Sequence, residues 1–315
     1  MSLTSPIIAI IGAGAVGGYY GARLAQHGHS VHFLLRSDYE TVRKSGLRIQ
    51  SCDGDFSIPA DKIHVYREAG DMPPADLVVI TLKATANDQY QPLIAPLLKN
   101  DTALLTLQNG LGNEERLAEL FGASRVLGGM AFTCINRIAP GHIHHLDHGQ
   151  IRLGEFGGGP SPRARRIAEI FNSSKIACQV LDDLRFGRWE KLVWNIPFNG
   201  LGAALDLTTD RLLASADGIS LVRTLMQEVI AAANALGIPL NPEIIEQKIE
   251  HTRTMGAYLS SMQVDRRMNR PMEIEAIIGR PLSEAKRVRV TTPCLEMVYR
   301  MLKALDNSRN GSQKS

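Results

Sequence analysis

Twelve residues near the start of the chain restrict its fold more than any others: Ile7-Ile-Ala-Ile-Ile-Gly-Ala-Gly-Ala-Val-Gly-Gly18. Five apolar residues in a row read as a strand buried on both faces. Gly12, Gly14 and Gly17 follow at the spacing G-x-G-x-x-G. Gly12 permits a tight turn, Gly14 lets a pyrophosphate approach the backbone, and Gly17 lets the next helix pack close to the strand. That helix, predicted over 15–27, aims its first N–H groups at the phosphates. The competing reading is a glycine-rich turn in a doubly wound domain that binds nothing. The strand before the turn and the amphipathic residues after it (Val16, Tyr20, Leu24) favour a dinucleotide. The turn residues expected to touch it are Gly12, Ala13, Gly14, Ala15, Val16 and Gly17.

The second strand indicates which dinucleotide. Val31 to Leu35 is apolar apart from His32 and ends at Arg36. An NAD site usually places a carboxylate there to bond the ribose 2′-OH. A guanidinium instead grips a 2′-phosphate through two parallel bonds. Arg36 therefore points to NADPH rather than NADH, with Asp38 and Glu40 nearby as charges of the opposing sign.

Further along, 75–82 reads as another buried strand. Lys83 stands at its C-terminal end, where ligands bind in open α/β sheets. The stretch 87–98 reads as a helix interrupted by Pro92 and Pro96, and 103–107 as a strand leading into Gln108-Asn109-Gly110. Asn113 is placed to cap the following helix. Residues 126–133 and 141–154 read as strands, the second alternating well enough for a hairpin, and 162–173 as a helix. From about 184 to 306 the periodicity is helical, with Pro271 starting a helix that holds Glu273 in its first turns. The expected architecture is α/β: a Rossmann-type doubly wound sheet over 1–182, then an all-helical domain over 183–306. The polar segment 307–315 reads as a disordered tail. The cleft between two such domains is the default place for a substrate.

Composition narrows the class. The 315 residues suffice for two domains, and 44% apolar with 21% charged residues suits a globular chain with a large core. A net charge of +3 gives no reason to expect nucleic acid or an anionic membrane as partner. No apolar run is long enough to span a bilayer, and no secretory leader is visible. Cys52, Cys134, Cys178 and Cys294 are scattered, which suits reduced thiols in a cytoplasmic protein. His142, His144, His145 and His148 are not joined by a thiol or carboxylate at a site-like spacing, so no metal is expected. A homodimer follows if the helical domain leaves apolar faces uncovered.

The densest set of candidate catalytic groups is Trp189-Glu-Lys-Leu-Val-Trp-Asn-Ile-Pro-Phe-Asn-Gly200. Lys191, Asn195 and Asn199 fall at i, i+4 and i+8, on one helix face, although Pro197 should kink that helix. Leu192, Val193, Ile196 and Phe198 are apolar, so the segment is buried. Desolvation of a lysine lowers its pKa and makes it a proton donor near neutral pH. Two amides beside it can orient a polar substrate without adding charge. The competing reading is an ordinary amphipathic helix whose lysine extends to solvent. A second polar set comprises Ser260, Ser261, Asp265 and Glu273, for which helix capping is the plain alternative.

Taken together these segments resemble the ketopantoate reductase family. The resemblance rests on Gly12 to Gly17, Leu35-Arg36, Thr81-Leu-Lys83-Ala84, Gln108-Asn109-Gly110, Trp189 to Asn195, and Ser260-Ser261-Met262 through Asp265 to Glu273, in the family's order over nearly the whole chain. It implies a Rossmann domain followed by a helical domain like that of the 6-phosphogluconate dehydrogenase group. It also implies NADPH-dependent reduction of a small 2-keto acid, 2-dehydropantoate, to its hydroxy acid in pantothenate biosynthesis. By the same resemblance Lys191 is the general acid, and Asn109 sits where nicotinamide and substrate meet. Asn195, Asn199 and Ser261 hold substrate. Arg36 and Lys83 hold the 2′-phosphate end, Ile135 touches the cofactor through its backbone, and Glu273 stands by the cofactor and the substrate's far hydroxyl. Two departures are visible. The family's Pro-Leu-Thr after the second asparagine is replaced by Gly200-Leu201-Gly202-Ala203, and Thr209 stands where some members have asparagine. The alternatives are reduction of another 2-keto acid on the same fold, and a dinucleotide-sensing protein without turnover.

Overall fold

The computed structural model describes residues 6–312, with side chains described through residue 307. The chain divides into two units, one made of residues 1–108 and 113–184, the other of 109–112 and 185–315.

In the first unit the opening strand β1 (Ile7–Ile11) is buried on both faces, as its unbroken apolar run requires. Ile8 and Ile10 enter one apolar cluster, and Ala9 and Ile11 enter another on the opposite side. Helix α1 (Ala15–Gln26) returns the chain to β2 (Ser30–Leu34), and α2 (Tyr39–Ser45) leads to β3 (Leu47–Ser51), β4 (Phe56–Ile58) and β5 (His64–Tyr66). Then come β6 (Ala75–Ile80), α3 (Tyr90–Ile94), β7 (Leu98–Thr106), α4 (Asn113–Phe121), β8 (Val126–Ala139), β9 (His142–Glu155), α5 (Pro162–Ser173) and β10 (Cys178–Val180). The predicted interruption of 87–98 is real: α3 is a single short turn between 3₁₀ segments, Ala84–Gln89 and Ala95–Leu97.

All ten strands form one sheet in the order β4-β3-β9-β8-β7-β6-β1-β2-β5, with β10 beside β9. Every pairing from β5 across to β8 is parallel. The order reverses between β1 and β6, and in an open parallel sheet the crevice at that point receives ligands. The stretch 141–154, read as a hairpin by itself, is instead the single strand β9, and it forms a hairpin with β8, antiparallel over almost their whole length. Along its other edge β9 pairs in parallel first with β3 and then with β10.

The second unit is helical: α6 (Leu184–Leu205), α7 (Thr209–Leu212), α8 (Ala216–Ala235), α9 (Ile244–Thr254), α10 (Ser261–Arg267), α11 (Arg280–Arg287) and α12 (Pro293–Ser312). A π-helical segment, Glu275–Gly279, precedes α11. The core gathers Leu192, Val193 and Ile196 of α6, Val222, Leu225 and Val229 of α8, Ile277 and Ile278 of the π segment, and Leu295 and Leu302 of α12. Helix α6 passes through Pro197 without a break. Gly200 has a steric reason, since a Cβ there would lie 2.8 Å from Val298 Cγ1 of α12. The segment 307–315 differs from its reading as a tail: α12 continues through Ser312, and 313–315 lie outside the described residues. No helix among the described residues is long and apolar enough to cross a membrane.

Candidate active site

The glycine turn is built by steric necessity. Gly12 has φ of +91°, and a Cβ there would lie 2.6 Å from Leu82 N. At Gly17 a Cβ would lie 2.2 Å from Thr81 Oγ1, the hydroxyl that donates to Gly12 O at 2.9 Å. Any larger residue at either point separates α1 or β6 from the turn. Gly14 differs. Its added Cβ would meet only Gly12 O, at 3.9 Å. The space above Gly14 is therefore open, on the side where α1 presents its first N–H groups, and this fits a phosphate. Lys83 follows Leu82 directly and is exposed.

Arg36 lies just past the end of β2, whose Leu34 pairs with Ile11 of β1. It is exposed and makes no hydrogen bond or ion pair among the described residues. The acidic neighbours are already engaged. Asp38 is buried, pairs with Arg137, and accepts from Ser37 Oγ and from Gly141 N at 3.2 Å. Glu40 pairs with Arg67 at 2.8 Å. Opposition to a 2′-phosphate from these carboxylates is thereby reduced. Ile135 is placed differently: its backbone pairs with His145 in the β8–β9 ladder, and its side chain packs on the apolar cluster that Ala13 and Val16 also meet.

In the helical unit Lys191, Asn195 and Asn199 share one face of α6, as predicted. Lys191 Nζ donates to Asn109 Oδ1 at 2.9 Å. Burial first, and the positive charge of Arg188 second, push its pKa down to about 7 against the opposing carboxylate of Glu273. Glu273 is itself 4% exposed. It precedes the helix rather than lying in its first turns. Residues 270–273 have no regular secondary structure, the helix begins at Ile274, and Glu273 O accepts its bond from Ile277 N at 3.1 Å.

Asn109 reaches Lys191 because residues 109–112 belong to this unit. Gly110 has φ of +86°, and a Cβ there would lie 2.3 Å from both C and O of Ala276. Leu111 N donates to that same Ala276 O at 2.9 Å. A π turn displaces carbonyls from the regular ladder, and here one of them seats the loop that carries Asn109.

The two asparagines of α6 are not equivalent. Asn195 is 4% exposed and makes no side-chain hydrogen bond among the described residues, yet it is not among the sealed polar atoms lacking a partner. Its amide is therefore turned toward accessible space. Asn199 Oδ1 accepts from Ser261 Oγ at 3.2 Å and Met262 N at 3.1 Å, which secures the start of α10. Only its NH₂ is left to meet a substrate. Ser260 caps α10 through Gln263 N, and Asp265 pairs with Arg270 at 2.9 Å, so both fit the capping and structural reading. Thr209 is committed as well, donating to Gly256 O at 2.8 Å and accepting from Tyr258 N at 3.1 Å.

Arg188 was not foreseen. It is 4% exposed, one turn before Lys191, and its charge acts on that ammonium. The i, i+3 spacing within the same segment was the available signal.

Comparison with known proteins agrees with this architecture. Residues 8–158 match the family described as Ketopantoate reductase PanE/ApbA, and residues 183–306 match Ketopantoate reductase PanE/ApbA C terminal. The chain is 44% identical over 310 residues to the 2-dehydropantoate 2-reductase of a Nostoc species, covering 97% of each. A solved 2-dehydropantoate 2-reductase from Geobacter metallireducens superposes with a TM-score of 0.92 at 47% identity, covering 94% of this chain and 99% of that one. A D-mandelate dehydrogenase solved in complex with NADH superposes at 0.85 with 25% identity, covering 96% and 99%. The chain belongs to the ketopantoate reductase family of oxidoreductases.

Proposed function

We propose that this chain reduces 2-dehydropantoate to pantoate with NADPH, and that Lys191 is the general acid. The observation that carries the reading is the Lys191 ammonium, held at 2.9 Å by Asn109 with its pKa lowered to about 7. An ordinary solvated lysine near 10.4 would hold its proton too tightly to be matched to neutral pH.

The cofactor supplies the hydride that reaches C2 of the keto acid. As that bond forms, the ketone oxygen gains negative charge, which the Lys191 ammonium stabilises before giving it a proton. The product is the neutral hydroxyl. Asn109 keeps the ammonium aimed through its side-chain oxygen. Asn195 and the NH₂ of Asn199 orient the substrate's polar groups, Ser261 meets its carboxylate end, and Glu273 meets the cofactor and the far hydroxyl. Gly12 to Gly17 would hold the pyrophosphate and Arg36 and Lys83 the 2′-phosphate, and the Ile135 backbone would touch the cofactor. The engaged state of Asp38 and Glu40 supports Arg36 in that role.

A second reading, reduction of a different 2-keto acid, is favoured by Thr209. Its hydroxyl is tied to residues 256 and 258 where some family members offer a substrate-binding asparagine. The test is NADPH and NADH oxidation with a panel of 2-keto acids. Highest kcat/KM for 2-dehydropantoate with NADPH is expected, and a higher value for another keto acid selects the second reading. If Lys191→Ala bound NADPH yet turned over normally, the acid would be misassigned.

A further inference from the structure

The parallel pairing of β3 with β9 sets Ser51 opposite His145, and Cys52 N donates to His145 O at 3.1 Å. It thereby brings a thiol and a carboxylate, Cys52 and Asp53, to an imidazole more than ninety residues away in sequence. The ring of His145 is fully buried. Its Nε2 lies 2.9 Å from the carbonyl oxygen of His148. A carbonyl can only accept, so Nε2 carries the hydrogen and Nδ1 keeps its lone pair. Nδ1 lies 3.7 Å from Cys52 Sγ and 3.8 Å from Asp53 Oδ2, and all three atoms lie within 4.8 Å of one another.

These separations match a coordination shell. A point equidistant from three atoms so spaced lies about 2.4 Å or less from each, against about 2.0–2.3 Å for zinc bonds to nitrogen, oxygen and sulfur. Cys52 and Asp53 are exposed, so their side chains can close the small remainder. The imidazole is already held by a backbone carbonyl, the usual outer partner of a metal-bound histidine.

We propose that Cys52, Asp53 and His145 form a site for a divalent cation of the zinc type, with water completing four positions. Thiolate with imidazole selects such ions over calcium or magnesium. The two anionic ligands offset the cation's charge, and Asp55 and Asp147 flank them. The opposing groups are Arg23, which donates to Ser51 Oγ at 3.2 Å, and the Ser51 hydroxyl, which lies 2.9 Å from Nδ1 and must release it. The bound ion would tie the end of β3 to β9 and so favour the folded unit by mass action.

The test is titration of the full-length reduced chain, free of added histidines, with cobalt(II) as spectroscopic probe and zinc as competitor. The wild type should bind one equivalent with a thiolate-to-cobalt charge-transfer band that zinc abolishes. Cys52→Ser should lose the band and Asp53→Asn should weaken binding at least tenfold, whereas Cys294→Ser should change neither. Zinc should raise the Tm of the wild type but not of Cys52→Ser. Because Cys52 is exposed, that variant should unfold without metal at the wild-type temperature. A wild type that shows no band at one equivalent, or a band that survives Cys52→Ser, overturns the proposal.

Discussion

The two units carry their chemistry in different ways. In the first unit the groups that the turn would offer a cofactor are backbone, and what the sequence must supply there is the absence of side chains at Gly12 and Gly17. In the helical unit the proposed working groups are side chains, brought together from residue 109, the helix around 191, the start of α10 and residue 273. A backbone site is written in local spacing. A side-chain site is written in tertiary structure, so its signals lie scattered along the chain. The same contrast predicts a division of labour, with changes in the first unit acting on cofactor affinity and changes in the second on turnover.

The largest expected effect tests the second half of that division. Lys191→Ala should lower kcat by about 10²–10⁴-fold, the usual contribution of a general acid, with NADPH affinity retained in fluorescence titration. Next, Arg36→Gln should raise the KM for NADPH by about 10–100-fold, since a hydrogen bond to a charged group contributes about 1.5–3 kcal/mol. The KM for NADH should hardly change. A loss of kcat at constant KM would break the contrast. Gly110→Ala should lower kcat by roughly tenfold with little change in KM for NADPH, because left-handed backbone costs alanine about 1–2 kcal/mol and Asn109 would be displaced. The smallest effect per step is in pH. The acid must carry its proton, and its pKa is lowered to about 7. The rate of ketone reduction should therefore hold below pH 7 and fall tenfold per unit above it. Removing the Arg188 charge, as in Arg188→Gln, should move that limb to higher pH.

Much of the fold was legible because its strands are continuous apolar runs and its turns are punctuated by glycine. The face of α6 was legible for the same reason, since one helix period places Lys191, Asn195 and Asn199 together. Other features depended on contacts that no local pattern encodes. Glu273 reads as lying in the first turns of a helix begun by Pro271, but the helix starts only at Ile274, so Glu273 stands just ahead of it. Asn199 reads as a substrate residue, yet its oxygen is occupied by the start of α10. The histidines of β9 gave no metal spacing, because the thiol and carboxylate that approach His145 arrive through sheet register. Nothing in the local pattern but its spacing from Lys191 marks Arg188, because an arginine on an amphipathic helix is ordinarily solvated.

The brief excursion of residues 109–112 has a consequence for how the protein can be divided. A chain begun at residue 185 would omit the side chain that holds the Lys191 ammonium and the amide that meets the Ala276 carbonyl. Exchanging the helical half between relatives at that boundary would likewise join one protein's lysine to another's asparagine loop. Modular recombination here must move both segments together, because the Lys191–Asn109 pair of the second unit is encoded in two separate stretches of sequence.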